Sequence, residues 1–222
     1  MPNKPQMSAA PFVPHSDNLE RLSRAAKGCE GCDLYRNATQ TVFGEGSTHA
    51  RVILVGEQPG NEEDREGLPF VGPAGRMLNQ ALEEAEVDRS DLYVTNAVKH
   101  FKFEPRGKRR LHKKPSVPEI SACRPWLEAE IAAIHPELIV CLGATAARSV
   151  LGRAVKVTAE RGELRPHEWA KASLVTVHPS SLLRIDDKER KHAEWELFVR
   201  DFRKVHTWLE EHAARTQERP EF

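Results

Sequence analysis

Residues 52–75 read VILVGEQPGNEEDREGLPFVGPAG: four apolar residues run into a turn rich in glycine and carboxylates, which ends where a helix can start. A short apolar run bounded by turn residues is the pattern of a strand buried on both faces. Gly56 and Gly60 let the backbone bend sharply around Glu57 and Gln58. In an open α/β sheet, ligands bind in the crevice beyond the carboxyl ends of the strands, so this turn delivers Glu57, Gln58, Asp64 and Phe70 to a candidate site. Taken alone, the segment also fits an ordinary βα loop.

The same pattern repeats outward. Apolar runs at 51–56, 92–98, 138–143 and 174–178 alternate with helical periodicity at 74–85, 118–134 and 144–151. This alternation predicts a three-layer αβα sandwich around a mainly parallel four-stranded sheet. Ser116 followed by Glu119 fits a capping box, and Pro118 suits the first helical turn. A last helix over 187–212 places Trp195, Phe198, Phe202, Val205 and Leu209 on one face. One domain over 17–214 is expected. Residues 1–16, with four prolines, and the polar tail 215–222 read as weakly ordered ends.

No apolar run approaches the roughly 18 residues of a membrane span, and the start MPNKPQMSAAPFVPH lacks the apolar stretch of a signal peptide. A cytoplasmic monomer without a membrane partner is the expectation. Lys+Arg and Asp+Glu balance at 33 each over 222 residues, so any anion-binding surface must come from local clustering. Residues 99–114, KHFKFEPRGKRRLHKK, are such a cluster: eight cations against Glu104 alone, with Phe101 and Phe103 interleaved. Pro105, Gly107 and Pro115 predict an irregular exposed loop, and its charge fits a phosphate backbone better than plain solvation.

The chain has four cysteines: Cys29 and Cys32 as CEGC, Cys123 near a helix start, and Cys141 inside an apolar run. CEGC does not sit between a strand and a helix as a redox CxxC would. Spacing leaves three readings open: a Cys₄ iron–sulfur cluster, a zinc site, or inert cysteines with Cys141 a small core residue.

Taken together, GEQPG at 56–60, PFVGPAG at 69–75, TNAVK at 95–99, HPSSLLR at 178–184 and the cysteine set resemble the iron–sulfur-containing family-four uracil-DNA glycosylases. Two departures, Gln58 and the added loop Lys108-Arg109-Arg110-Leu111-His112, are similar to the UdgX branch, whose hallmark is a KRRIH-type loop and irreversible attachment to uracil-containing DNA. The resemblance implies a [4Fe–4S] cluster on Cys29, Cys32, Cys123 and Cys141, and DNA containing uracil as substrate, single-stranded or duplex, with free uracil as product. It also implies that a flipped uracil stacks on Phe70, that Asn96 reads its edge with Gln58 and Asp64 beside it, and that His178 donates to a carbonyl oxygen. Lys108, Arg109, Arg110, Ser180 and Arg184 would hold DNA, and Leu182 or Leu183 would fill the gap in the stack.

Charge then assigns the chemistry. Cleavage leaves an anion on the base and an oxocarbenium-like cation at C1′, so a donor such as His178 and a carboxylate such as Glu57 are both needed. His112, on the basic loop, is a better nucleophile than water and can capture the sugar in a covalent, single-turnover reaction. The rival expectations are a conventional multiple-turnover glycosylase and a non-enzymatic DNA-binding module.

Overall fold

The structure, a computed structural model, describes residues 7–217. In chain order its elements are α1 (Leu19–Ala26), β1 (Glu45–Gly46), β2 (Val52–Gly56), α2 (Asn61–Glu66), α3 (Pro73–Glu84), β3 (Leu92–Asn96), β4 (Phe103–Arg106) and β5 (Arg109–His112). They continue with α4 (Val117–Ile134), β6 (Leu138–Leu142), α5 (Ala144–Leu151), α6 (Val157–Glu160), β7 (Leu164–His167), β8 (Ala170–Thr176), α7 (Pro179–Leu183) and α8 (Lys188–Gln217).

The main sheet has the order β1-β3-β2-β6-β8-β7. Its four inner strands are parallel, and they are the four apolar runs of the sequence. The period-2 alternation of side chains splits each of them between two cores. From β2, Val52 and Leu54 pack with Leu78 of α3 and with Phe198, Phe202 and Val205 of α8. Ile53 and Val55 face the other way, toward Leu127 and Ile131 of α4 and Ala146 and Val150 of α5. Helices cover both faces, and each fully buried aliphatic side chain contributes about 1.5–3 kcal/mol. The α8 face is the one its spacing predicts. At the start of α4, the Glu119 carboxylate accepts the Ser116 N–H at 2.6 Å, as the capping box requires.

Three expectations are corrected. The sheet has six strands, because the short antiparallel edges β1 and β7 flank the parallel core. The basic segment is no irregular loop. Residues 103–112 form an antiparallel hairpin, β4 to β5, turned at Gly107 with φ of 58°, and Lys99, His100 and Phe101 before it are buried. Finally, of the N-terminal segment read as weakly ordered, residues 1–6 lie outside the described residues, but 7–16 pack on the domain. Ala9 is buried, its N–H donates to the Ala122 carbonyl at 2.7 Å, and Ala10–Phe12 form a 3₁₀ turn. Of the tail, 215–217 continue α8 and 218–222 lie outside the described residues. Among the described residues, no helix is long and apolar enough to cross a membrane.

Candidate active site

In register, Gly56 of β2 pairs with Asn96 of β3, and Leu142 of β6 with Thr176 of β8, so the four parallel strands end level. Beyond that edge lies a cavity of about 250 Å³ lined by Gln58, Phe70, Asn96, His112, His178, Ser180 and Leu183, among others. The turn after β2 forms its floor. A Cβ at Gly56 would overlap Asn96 Oδ1 and the Phe70 ring, and one at Gly75 would overlap the Phe70 carbonyl, so both glycines are needed for this packing. Phe70 itself has φ of 56°, a left-handed conformation that costs a bulky residue on the order of 1–3 kcal/mol and turns its ring over the cavity. Asn96 Oδ1 is buried with no hydrogen-bond partner among the described residues. Such an orphaned acceptor calls for a donor from a ligand.

His178 N-caps α7. Its Nδ1 accepts the Ser180 N–H at 3.2 Å and lies 2.8 Å from Ser180 Oγ. A ring nitrogen that accepts a backbone N–H carries no proton, so in the neutral ring Nε2 is the protonated nitrogen. Burial pushes His178 down to about 4, with repulsion from His112 and Arg184 adding to it, so the ring is neutral at pH 7. The sign of the stability effect follows. Above the unfolded value near 6.5, both states leave the ring neutral. As pH falls toward 4, only the unfolded chain takes up the proton. The contribution of this site is therefore lost on acidification. Thermal melting between pH 7 and pH 4 should show a falling midpoint, and His178→Gln should flatten that fall.

Glu57 and Gln58 have separate tasks. Glu57 Oε1 lies 3.5 Å from His112 Nε2, and its Oε2 accepts the hydroxyl of Thr145. Gln58 is buried. Its Nε2 donates to the Lys102 and Lys113 carbonyls at 3.2 and 3.1 Å, and its Oε1 accepts the Lys102 N–H at 3.1 Å. That amide stitches the two ends of the hairpin together at the cavity mouth. Burial lowers His112 below its ordinary value, Glu57 opposes this and Arg184 adds to it. A neutral imidazole at the mouth is the result.

The structure brings two predicted site residues to a different task. Asp64, fully buried, is absent from the cavity lining. It accepts the Thr39 N–H at 3.0 Å and pairs with Arg110 Nη1 at 2.6 Å. Arg110 also donates to the Asn61 side chain and carbonyl, at 2.8 and 3.2 Å, and lies over the rings of Phe101 and Phe103. Both were expected at the ligand, Asp64 on the base and Arg110 on phosphate. Instead they form an internal clamp that holds β5 against α2. Because side chains alternate along a strand, Arg110 and His112 share a face, so the clamp also aims His112. Lys108 and Arg109, exposed at the hairpin tip, and Arg184 after α7 stand where cations are free to meet a polyanion. Leu182 is buried, whereas Leu183 is 41% exposed and lines the cavity, so only Leu183 is placed to leave the protein surface.

The cysteines separate in the same way. Cys29, Cys32 and Cys123 share one apolar cluster beside α1 and α4. Burial first, and the neighbouring thiols Cys32 and Cys29 in part, push Cys123 up to about 12. Cys141 belongs instead to the core between the sheet and α4–α5, and burial alone pushes it up to about 12. Among the described residues, no group of three or more His, Cys, Asp or Glu is placed to hold a single metal ion. A polynuclear cluster spans wider, and the chemistry of three gathered thiols fits one, short of a fourth donor. His100, within the basic segment, was given no role of its own by the sequence. It is buried, it lines a cavity with Cys29, and the preceding N–H, of Lys99, donates to Cys123 Sγ at 3.3 Å. Thr41 donates its hydroxyl to the Ala26 carbonyl, so its 2.9 Å contact with His100 Nε2 is made by the ring's proton, leaving Nδ1 its lone pair.

A second buried pair was equally unread. Lys99 and Glu130, 1% and 0% exposed, form an ion pair behind Asn96. Lys99 Nζ also donates to the Asn96 carbonyl at 2.8 Å, and Glu130 accepts from the Tyr93 and Thr95 hydroxyls and the Gly44 N–H.

With this geometry in place, comparison with known proteins is specific. A model of the uracil DNA glycosylase superfamily matches residues 43–203, which hold every residue named above as lining the cavity beyond the strand ends. The chain belongs to the uracil-DNA glycosylase superfamily. Among its relatives is a type-4 uracil-DNA glycosylase of Thermotoga maritima, 41% identical over 169 residues, covering 75% of this chain and 83% of that protein. Type-4 uracil-DNA glycosylases of Pyrobaculum aerophilum and Archaeoglobus fulgidus are 34% and 33% identical over 174 residues, covering 75% of this chain and 85% and 84% of theirs. Within the superfamily fold, the Asp64–Arg110 clamp, the Gln58 stitch and the His112–Glu57 pair all concern one feature, the hairpin over the cavity.

Proposed function

We propose that the protein is a uracil-DNA glycosylase that excises uracil and then bonds covalently, through His112, to C1′ of the remaining sugar. The observation that carries this reading is His112 on the cavity lining, with its Nε2 3.5 Å from Glu57. A flipped uracil would lie on Phe70, and its N3–H and O4 match the acceptor and donor of the Asn96 amide, whose Oδ1 is otherwise orphaned. The His178 Nε2–H, fixed by Ser180, points a neutral donor at the departing base.

As the bond from C1′ to N1 breaks, its electron pair leaves with uracil as an anion stabilised by His178. Glu57 supports the cation at C1′. The His112 imidazole then gives its lone pair to C1′, forming an N–C1′ bond, and its remaining N–H can pass a proton to Glu57 or to the uracil anion. No water is consumed. Lys108, Arg109 and Arg184 would hold phosphates, Ser180 serves His178, and Leu183 would fill the gap in the stack. The same reading gives the protein a [4Fe–4S] cluster on Cys29, Cys32 and Cys123, with His100 Nδ1 as fourth donor in place of Cys141. When bound, it would supply a covalent brace between the N-terminal segment and α4.

Protein incubated with uracil-bearing single-stranded DNA and run on a denaturing gel should give a shifted band, with one uracil released per protein. Uracil in molar excess over protein, with no shifted band, would point to the conventional multiple-turnover enzyme. His178→Ala should slow base release about 10²–10³-fold in single turnover, the usual effect of deleting one aimed donor. A conventional enzyme would show the same loss.

A further inference from the structure

A glutamate carboxylate ends a side chain with three rotatable bonds, so one contact of 3.5 Å to an imidazole does not fix it. Glu57 has a second contact. Its Oε2 accepts the hydroxyl of Thr145, which is 3% exposed and sits in the first turn of α5. That turn is tied to the strand bearing the His178 loop. The Gly143 N–H donates to the Thr176 carbonyl at 2.9 Å, Gly143 has φ of 91°, and a Cβ there would press on His178 Cβ at 3.0 Å. Thr145 is therefore held by the same parallel pairing that places His178, and Glu57 bridges from it to the hairpin that carries His112.

We infer that Thr145 is a positioning residue: its hydroxyl fixes the Glu57 carboxylate so that the other oxygen faces His112 and the sugar. The inference rests on the covalent reading above. A neutral donor suits the task. A lysine or arginine there would neutralise the carboxylate and weaken its support of a cation at C1′, whereas a hydroxyl orients it and leaves its charge. The other charged or titratable groups facing His112 are Arg184 and His178, both after β8. On the hairpin itself, Arg110 is occupied by Asp64 and Lys113 by Glu104. Glu57 is thus the one anion aimed at the ring among the described residues, and Thr145 is what holds it. Misplacing a reacting group by about 1 Å can cost on the order of 10²-fold.

The test compares Thr145→Val, which keeps the shape and removes the hydroxyl, with Thr145→Ser, which restores it. Single-turnover reactions on uracil DNA give the maximal rate, the half-saturating DNA concentration, and the fraction of excision events that end as adduct rather than free abasic DNA. The expected result for Thr145→Val is a maximal rate lower by tenfold or more and a larger share of free abasic DNA. Half-saturation and melting should be unchanged, and Thr145→Ser should recover most of the loss. Thr145→Val equal to the parent in rate and partition would overturn the inference. So would a loss that Thr145→Ser does not repair, or one confined to half-saturation, since either marks packing or DNA contact. If the parent chain formed no adduct, the covalent reading would fall, while the rate arm would still test whether Thr145 positions Glu57.

Discussion

His112→Ala should abolish the denaturation-resistant adduct with uracil DNA while leaving binding to uracil-free DNA nearly unchanged. The side chain is about half exposed at the mouth and makes no buried ion pair, so its removal leaves the fold and the phosphate-facing cations in place. What disappears is a tethered nucleophile. Groups held in reacting geometry reach effective concentrations of about 10⁵–10⁸ M, far above any competitor that could bond to C1′. Adduct yield should therefore fall below detection rather than by a modest factor. Uracil release should continue, because Phe70, Asn96 and His178 are untouched, and it should become catalytic as water takes over the attack. The check is a denaturing gel run beside a uracil release assay and a binding isotherm on uracil-free DNA. An undiminished adduct in His112→Ala would require another nucleophile.

Arg110→Ala is the second large effect. Asp64 is fully buried, and its charge is balanced by Arg110 at 2.6 Å. Removing one partner of such a pair typically costs about 3–5 kcal/mol, because the other charge stays desolvated. Here the hairpin can undock to hydrate Asp64, so the loss should appear locally. Protease nicking and hydrogen exchange over 103–112 should rise, and adduct yield should drop while uracil release persists. Removing both partners, as in Arg110→Met with Asp64→Leu, should recover much of the stability, since no charge is then left buried. If Arg110 instead only held DNA, Arg110→Ala would weaken DNA binding and leave hairpin exchange unchanged.

The parallel core was legible because VILV, LYV and LIVCL are continuous apolar strands and the helices between them keep a 3.6 period. The edges β1 and β7 were not, being two and four residues long and exposed. The hairpin was hidden by its charges: FEPR and RRLH alternate too weakly to announce strands, and their stability comes from Gln58, Asn61 and Asp64, some 44 to 55 residues away. The same distance in sequence explains why Arg110 reads as a phosphate ligand. Its partner is an acid in another motif. Glu57, Phe70, Asn96, His112 and His178 were legible as candidates because each sits in a recognisable motif; the cavity brings the last four together, with Glu57 against His112. Glu130 and Thr145 carried no such signal, and Lys99, although it ends TNAVK, was read as a cation of an exposed loop, since nothing in a linear pattern says that a lysine after a strand is buried. Cys141 was assigned to a cluster through the resemblance, whereas its run Leu138–Leu142 lies in the core between the sheet and α4–α5, apart from the other three cysteines.

In the proposed reaction His112 captures the sugar once uracil leaves. Peptide mapping by mass spectrometry, after digestion of protein reacted with uracil-bearing single-stranded DNA, tests it most directly. The expected result is a single modified peptide, with the abasic sugar on the imidazole of His112. An adduct on any other residue, or protein recovered unmodified beside a molar excess of uracil, would contradict it.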